Sequence, residues 1–266
     1  MSNPTLGKPP LALTLAQVKF NIVPTMDTYS KRIQDEFRKK LAFIHHDFEE
    51  ASTIKVGPQR TEIEKSTLWT SCAPDYKTRL VLRDDFLVLE TIEYPGFESF
   101  IPNLQKALDI VQDITGITHI TRLGFRYINR IETTPEKSLE YYLNPQLLGF
   151  QFDKIEHESA VSRTEAIANT NEGLLRVHCM QFVSDKDASK NSLLPPDIST
   201  RLEIMPLSTT PPGKYAFLDI DHFKDFDREP INLYIPDIFD RLNRLHQGGY
   251  NAFVSGVTEE AMQEWG

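Results

Sequence analysis

The sequence predicts an α+β fold in which largely antiparallel sheets pack against a few helices. Strand-like runs with period-two apolar alternation follow one another in series, from Ser66 to Tyr94 and again from Ala160 to Phe223. Helical patterns, with apolar residues three and four apart, are few. They do not alternate strictly with the strands, as a doubly wound parallel sheet requires. A chain of 266 residues accommodates two interlocked halves, expected at 1–134 and 135–266.

A polar arm, Met1–Pro10, leads into Leu11–Val23, whose aliphatic and β-branched residues read as a strand stopped by Pro24. A helix follows behind Asp27 or Thr28. Its stripe is Ile33, Phe37, Leu41, Ile44 and Phe48, and its end is expected before Gly57-Pro58. Ser66–Ala73, Thr78–Arg83 and Asp85–Tyr94 read as an antiparallel meander. A second helix begins near Ser99, tolerates Pro102 early, carries Ile101, Leu104, Leu108, Val111 and Ile114, and stops at Gly116. The strand Thr121–Ile131 comes next. Strand, helix, meander, helix, strand is the order of an elaborated ferredoxin-like unit.

Pro135–Gly149 reads as a short helix and connection between the halves. Beyond it, strands are expected at Ala160–Asn169, Gly173–Val183, Thr200–Pro206 and Tyr215–Phe223, with a turn at Asn169–Gly173 and a polar exposed loop at Ser184–Pro196. A helix over Ile235–Gln247 presents Ile238, Leu242 and Leu245 and is expected to be capped by Gly248-Gly249. A last short helix spans Thr258–Trp265.

Composition narrows the function classes. The hydrophobic share of 40% and charged share of 25% are those of a folded globular protein. The net charge of −9 disfavours nucleic acid and anionic membrane surfaces as partners. Neither an apolar leader in Met1–Pro10 nor an apolar run of about 20 residues is present, so the expectation is cytoplasmic, with no membrane partner. Two cysteines, Cys72 and Cys179, read as packed reduced thiols. The seven histidines show no metal-ligand spacing, and His246 reads as a dipole-favoured residue at a helix C-terminus.

The candidate site centres on Arg122-Leu-Gly-Phe-Arg-Tyr-Ile-Asn-Arg-Ile131. Strand geometry puts Arg122, Gly124, Arg126, Ile128 and Arg130 on one face and Leu123, Phe125, Tyr127, Asn129 and Ile131 on the other. Guanidinium forks suit carboxylates or phosphates. Arg122 to Arg130 spans ~26 Å, however, so the three form a stripe for an anion groove or partner face and not a grip on one small anion. Alternatively they pair across strands with Glu90, Glu93, Glu165 or Glu203.

Asp219 and Asp221 alternate with Leu218 and Ile220, and two carboxylates on one strand face are candidate Mg²⁺ ligands. The string Asp219-Ile-Asp-His-Phe-Lys224 resembles the metal segment of diguanylate cyclases, and Gly248–Phe253 echoes their glycine-rich signature. Tyr250 and Asn251 replace the acidic pair of that signature, so cyclase chemistry is not expected. Glu62-Ile63-Glu64-Lys65 is similar to the opening strand of triphosphate tunnel enzymes, with one further Glu-x-Lys step missing.

Pro9-Pro10 before Leu11–Phe20, the Arg122–Ile131 string, Leu218–Asp221 and the helix bearing His246 together resemble a sporadically distributed family of uncharacterised prokaryotic proteins of about this length. That resemblance implies a one-unit architecture and brings no activity, cofactor or catalytic residues. The expectation is a non-catalytic binding or assembly protein without a cofactor, whose partner is a protein or a second copy. The alternative is a metal-dependent phosphoryl or nucleotide/triphosphate enzyme, with Mg²⁺ on Asp219/Asp221 and Arg122/Arg126 on the phosphates.

Overall fold

The computed structural model describes residues 6–56, 61–152, 154–156, 159–184, 213–226 and 228–266. Its strands are β1 (Leu11–Phe20), β2 (His45–Val56), β3 (Thr61–Cys72), β4 (Thr78–Leu82), β5 (Phe86–Thr91), β6 (His119–Glu132), β7 (Ser159–Asn169), β8 (Leu174–Ser184), β9 (Gly213–Asp225) and β10 (Ile231–Asn232). The helices are α1 (Met26–Leu41), α2 (Phe97–Thr115), α3 (Leu139–Tyr142), α4 (Ile235–Gly256) and α5 (Glu259–Trp265). The fold is α+β. Strands hydrogen-bond in the order β2-β3-β4-β5-β1-β6-β9-β8-β7, with β10 beside β6. None of the described helices is long and apolar enough to cross a membrane.

Two compact units interleave along the chain. One holds Leu15–Gly124 and Lys224–Asn243, the other Met1–Thr14, Phe125–Phe223 and Arg244–Gly266.

In the first unit, the path β4-β5-β1-β6 with α1 after β1 and α2 after β5 is the ferredoxin-like arrangement, elaborated by the β2–β3 hairpin. The meander is antiparallel in register from Trp69↔Leu82 to Cys72↔Arg79 and from Thr78↔Thr91 to Leu82↔Leu87. Leu80, Leu82, Leu87 and Leu89 are buried together with Phe37 of α1 and Leu104, Leu108 and Val111 of α2. Each such side chain contributes roughly 1.5–3 kcal/mol on leaving water.

The helix expected to run on through Ile44 and Phe48 ends at Leu41. Ala42 takes a left-handed cap (φ 57°) whose N–H donates to Phe37 O, and the chain leaves as β2. The three-and-four spacing of Ile44 and Phe48 is coincidental: both are exposed, at 47% and 64%. Thr53, Ile54 and Val56 favour the pleated strand instead.

In the second unit, β7, β8 and β9 form a continuous antiparallel run. Thr133 N–H donates to Lys214 O (3.1 Å) and Phe226 N–H to Thr121 O (2.7 Å), so β9 is antiparallel to β6 in a single register. That register sets Arg126 opposite Asp221 and Ile128 opposite Asp219. One side of the sheet carries a core of Ile131, Leu143, Leu218, Ile220, Phe253 and Trp265 among others. Thr258 caps α5 by accepting from Ala261 N–H (3.1 Å).

The helix expected to stop at Gly248-Gly249 continues through both to Gly256. A Cβ on Gly248 would meet the His222 ring at 2.5 Å, and one on Gly249 the Tyr127 ring at 3.3 Å. These glycines bring α4 close to the sheet instead of ending it. The strand expected at 200–206 and most of the loop expected at 184–196 lie outside the described residues, as do Met1–Thr5, Gly57-Pro58, His157 and Glu203.

Candidate functional site

Strand β6 alternates as its sequence dictates. Leu123, Phe125, Tyr127, Asn129 and Ile131 are buried, with Asn129 Nδ2 donating to Leu218 O (3.1 Å). On the opposite face Ile128 is buried as well, while the three arginine side chains remain 16–23% exposed.

Each of those arginines meets an acid. Arg122 reaches Asp225 (3.0 Å) and Arg130 reaches Glu132 (2.6 Å). Arg126 binds Asp219 in a bidentate fork, Nε to Oδ1 at 2.7 Å and Nη2 to Oδ2 at 2.6 Å. Glu90 instead pairs with Arg79, Glu93 with Lys77, and Glu165 with Arg176 at 3.5 Å. The cross-strand principle was legible, but the diagonal offset that joins residue 126 to 219 depends on the β6–β9 register, which nothing local in the sequence encodes.

Asp219 and Asp221 do share a strand face with Arg126. On β8, Asp219 faces His178 and Asp221 faces Arg176. Both oxygens of Asp219 are engaged by the guanidinium, so a metal ion there would have to displace a charge-assisted pair. Among the described residues, no three His, Cys, Asp or Glu side chains gather to hold a metal. Residues 62–65 lie on β3, and their side chains lie outside the described set.

The burial of His222 and His246 was not read from the sequence. His246 is an interior residue of α4, not a C-terminal one, because the helix runs on to Gly256. Its Nδ1 faces the Tyr127 hydroxyl and its ring lies 5.4 Å from Phe125. Burial lowers its pKa to about 4. The Tyr127 hydroxyl and Nδ1 share a hydrogen bond whose donor is set by the ring's tautomer. His222 lies between Leu245 O, 2.9 Å from Nδ1, and Thr170 Oγ1, 2.9 Å from Nε2. Burial lowers its pKa too, against the opposing pull of Leu245 O and Glu172. Gly248-Gly249 was the one local signal of this close packing.

Burial raises the Cys179 thiol to about 12, and Cys72 moves in the same direction for the same reason. Neither environment favours a nucleophilic thiolate. A cleft of about 270 Å³ opens between Pro24, Met26 and Trp69, with Asp27, Glu50 and Asp84 also lining it. Its carboxylates make it a poor receptor for phosphate. No protein-family model matches the chain, and no curated protein matches it.

Proposed function

We propose that the protein is a non-catalytic binding or assembly protein, with the Arg122–Ile131 strand as its recognition face and another protein or a second copy as its partner. The observation that carries this reading is the bidentate Arg126–Asp219 pair. The carboxylate best placed to hold a metal or take a proton is committed to an arginine, and the arginine best placed for a phosphate is committed to that carboxylate. A face of matched charges selects a partner by extending its pattern, and it penalises wrong partners through like-charge contacts. Arg122, at 23% the most exposed of the three arginine side chains, and Asp225, at 44%, are open to such extension.

Light scattering on the purified protein tests the reading, together with partner capture by wild type and Arg122→Glu. The expected result is a mass above the 30.5 kDa of one chain, or a stoichiometric protein partner lost in Arg122→Glu. A strictly monomeric protein that retains no partner overturns it. Thermal melts with nucleoside triphosphates or inorganic triphosphate and Mg²⁺ supply the second arm, since a bound ligand raises Tm by mass action. No shift is expected. A Mg²⁺-dependent rise abolished by Asp219→Asn would replace this reading with a metal-dependent phosphoryl-transfer enzyme.

A further inference from the structure

We infer that β7 is the interface of a twofold dimer, in which the β7 strands of two copies pair antiparallel about Thr164. This rests on the assembly reading above and names the partner as a second copy of the chain.

β7 is eleven residues long and pairs with β8 at every position from Ser159↔Ser184 to Asn169↔Leu174, without a bulge. It ends the strand order, so among the described residues no strand lies on its other edge. An unpaired edge is a template for another chain, and folded proteins guard such edges with lysine, proline, bulges or short length. The β7 sequence, SAVSRTEAIAN, has none of these guards. β2, at the opposite end of the order, carries one of these guards in Lys55.

Read about Thr164, β7 complements itself. Positions equidistant from Thr164 face each other, so Arg163 faces Glu165 of the second copy and Glu165 faces its Arg163. In the same register Val161 faces Ile167, Ser162 faces Ala166 and Ala160 faces Ala168. Val161, Arg163, Glu165 and Ile167 lie on one strand face, and a twofold axis perpendicular to the sheet keeps that face common to both copies. The dimer gains two Arg–Glu and two Val–Ile cross-strand pairs.

The two neighbouring registers are disfavoured. Centring the axis on Arg163 sets arginine against arginine, and centring it on Glu165 sets glutamate against glutamate. Ile167, 56% exposed in the single chain, gains cover. Glu165 stays within reach of a second copy, because its ion pair with Arg176 is a surface one, with side chains 51% and 45% exposed.

Sedimentation velocity over a concentration series tests the interface on the full chain. Wild type is expected at twice 30.5 kDa. Arg163→Glu and Glu165→Arg should each weaken self-association by about tenfold or more, because each variant sets like charges opposite each other twice. The double variant R163E/E165R restores opposite charges and should recover the dimer. An equimolar mixture of the two single variants should form a one-to-one heterodimer, since an acidic strand then meets a basic one. Recovery in the double variant and in the mixture rules out misfolding as the cause of dissociation.

A dimer that ignores both single reversals overturns the β7 interface and leaves the assembly reading standing. A wild type that remains monomeric also overturns it, whereas the assembly reading falls only when no other protein partner is retained.

Discussion

Arg126 grips both carboxylate oxygens of Asp219, and the two residues come from strands 93 positions apart in the chain. With side-chain exposures of 19% and 12%, the pair is shielded enough that losing one member leaves a charge with little water to replace its partner. Asp219→Ala is therefore expected to destabilise the protein by about 2–3 kcal/mol in urea melts. Arg126→Met keeps the apolar stem but strands the Asp219 carboxylate, so its cost should be similar. A double-mutant cycle should return a coupling energy of about 1–3 kcal/mol, and additivity of the two changes would show that the fork contributes nothing of its own.

Acid sensitivity follows from His246. Its folded pKa of about 4 lies below its ordinary value of 6.5, because burial beside Phe125 and Tyr127 disfavours the charged ring. Above pH 6.5 both folded and unfolded chains hold it neutral, and the stability is fully present. As pH falls from 6.5 toward 4 the unfolded chain takes up a proton that the folded chain refuses, and stability is lost. The shift corresponds to about 3 kcal/mol across that window. His222, lowered in the same direction, adds to the slope. Urea midpoints at pH 7.5 and 5 measure the effect. His246→Asn, whose amide keeps an acceptor near the Nδ1 position, should flatten the slope, and an unchanged slope would place the acid sensitivity elsewhere.

The fold was legible wherever burial follows a local period. The alternation Leu80/Leu82 and Phe86/Val88/Ile92 located the meander, and the spacing of Leu104, Leu108 and Val111 located α2, because a strand repeats every second residue and a helix every three to four. Local pattern misled where a tertiary contact decided. Phe48 continues the periodicity of α1 but lies on an exposed strand, and Gly248-Gly249 imitates a helix cap while serving a close helix–sheet contact. Within the candidate site, the arginine face could be read from alternation alone. Its acidic partners could not, since Asp219 and Asp225 are selected by strand order and register.

Thr258 joins two elements. Its hydroxyl accepts from Ala261 N–H at 3.1 Å and donates to Tyr141 O at 2.5 Å, tying the start of α5 to α3. Thr258→Ala removes both bonds and should cost about 1–2 kcal/mol. Thr258→Ser keeps both and should cost far less. Equal losses in the two variants, compared by thermal melts at one pH, would assign the effect to the methyl group instead of the hydroxyl.

Gly248 reverses the usual sign of a helix substitution. In an exposed helix interior, Gly→Ala stabilises by about 1 kcal/mol, because alanine has the higher helix propensity. At Gly248 the added methyl would sit 2.5 Å from Cε1 and Nδ1 of His222, a ring held on one side by Leu245 O and on the other by Thr170 Oγ1. The ring cannot yield without breaking those bonds, so Gly248→Ala should destabilise by about 1–3 kcal/mol. Gly249→Ala faces the Tyr127 ring at 3.3 Å, where a shift of a few tenths of an ångström suffices, and its cost should be smaller. Pairing Gly248→Ala with His222→Ala opens the space that the methyl needs, and the double variant should lose less than the sum of the two singles. Strict additivity of the two, read from urea midpoints, would show that His222 is not what the methyl strikes.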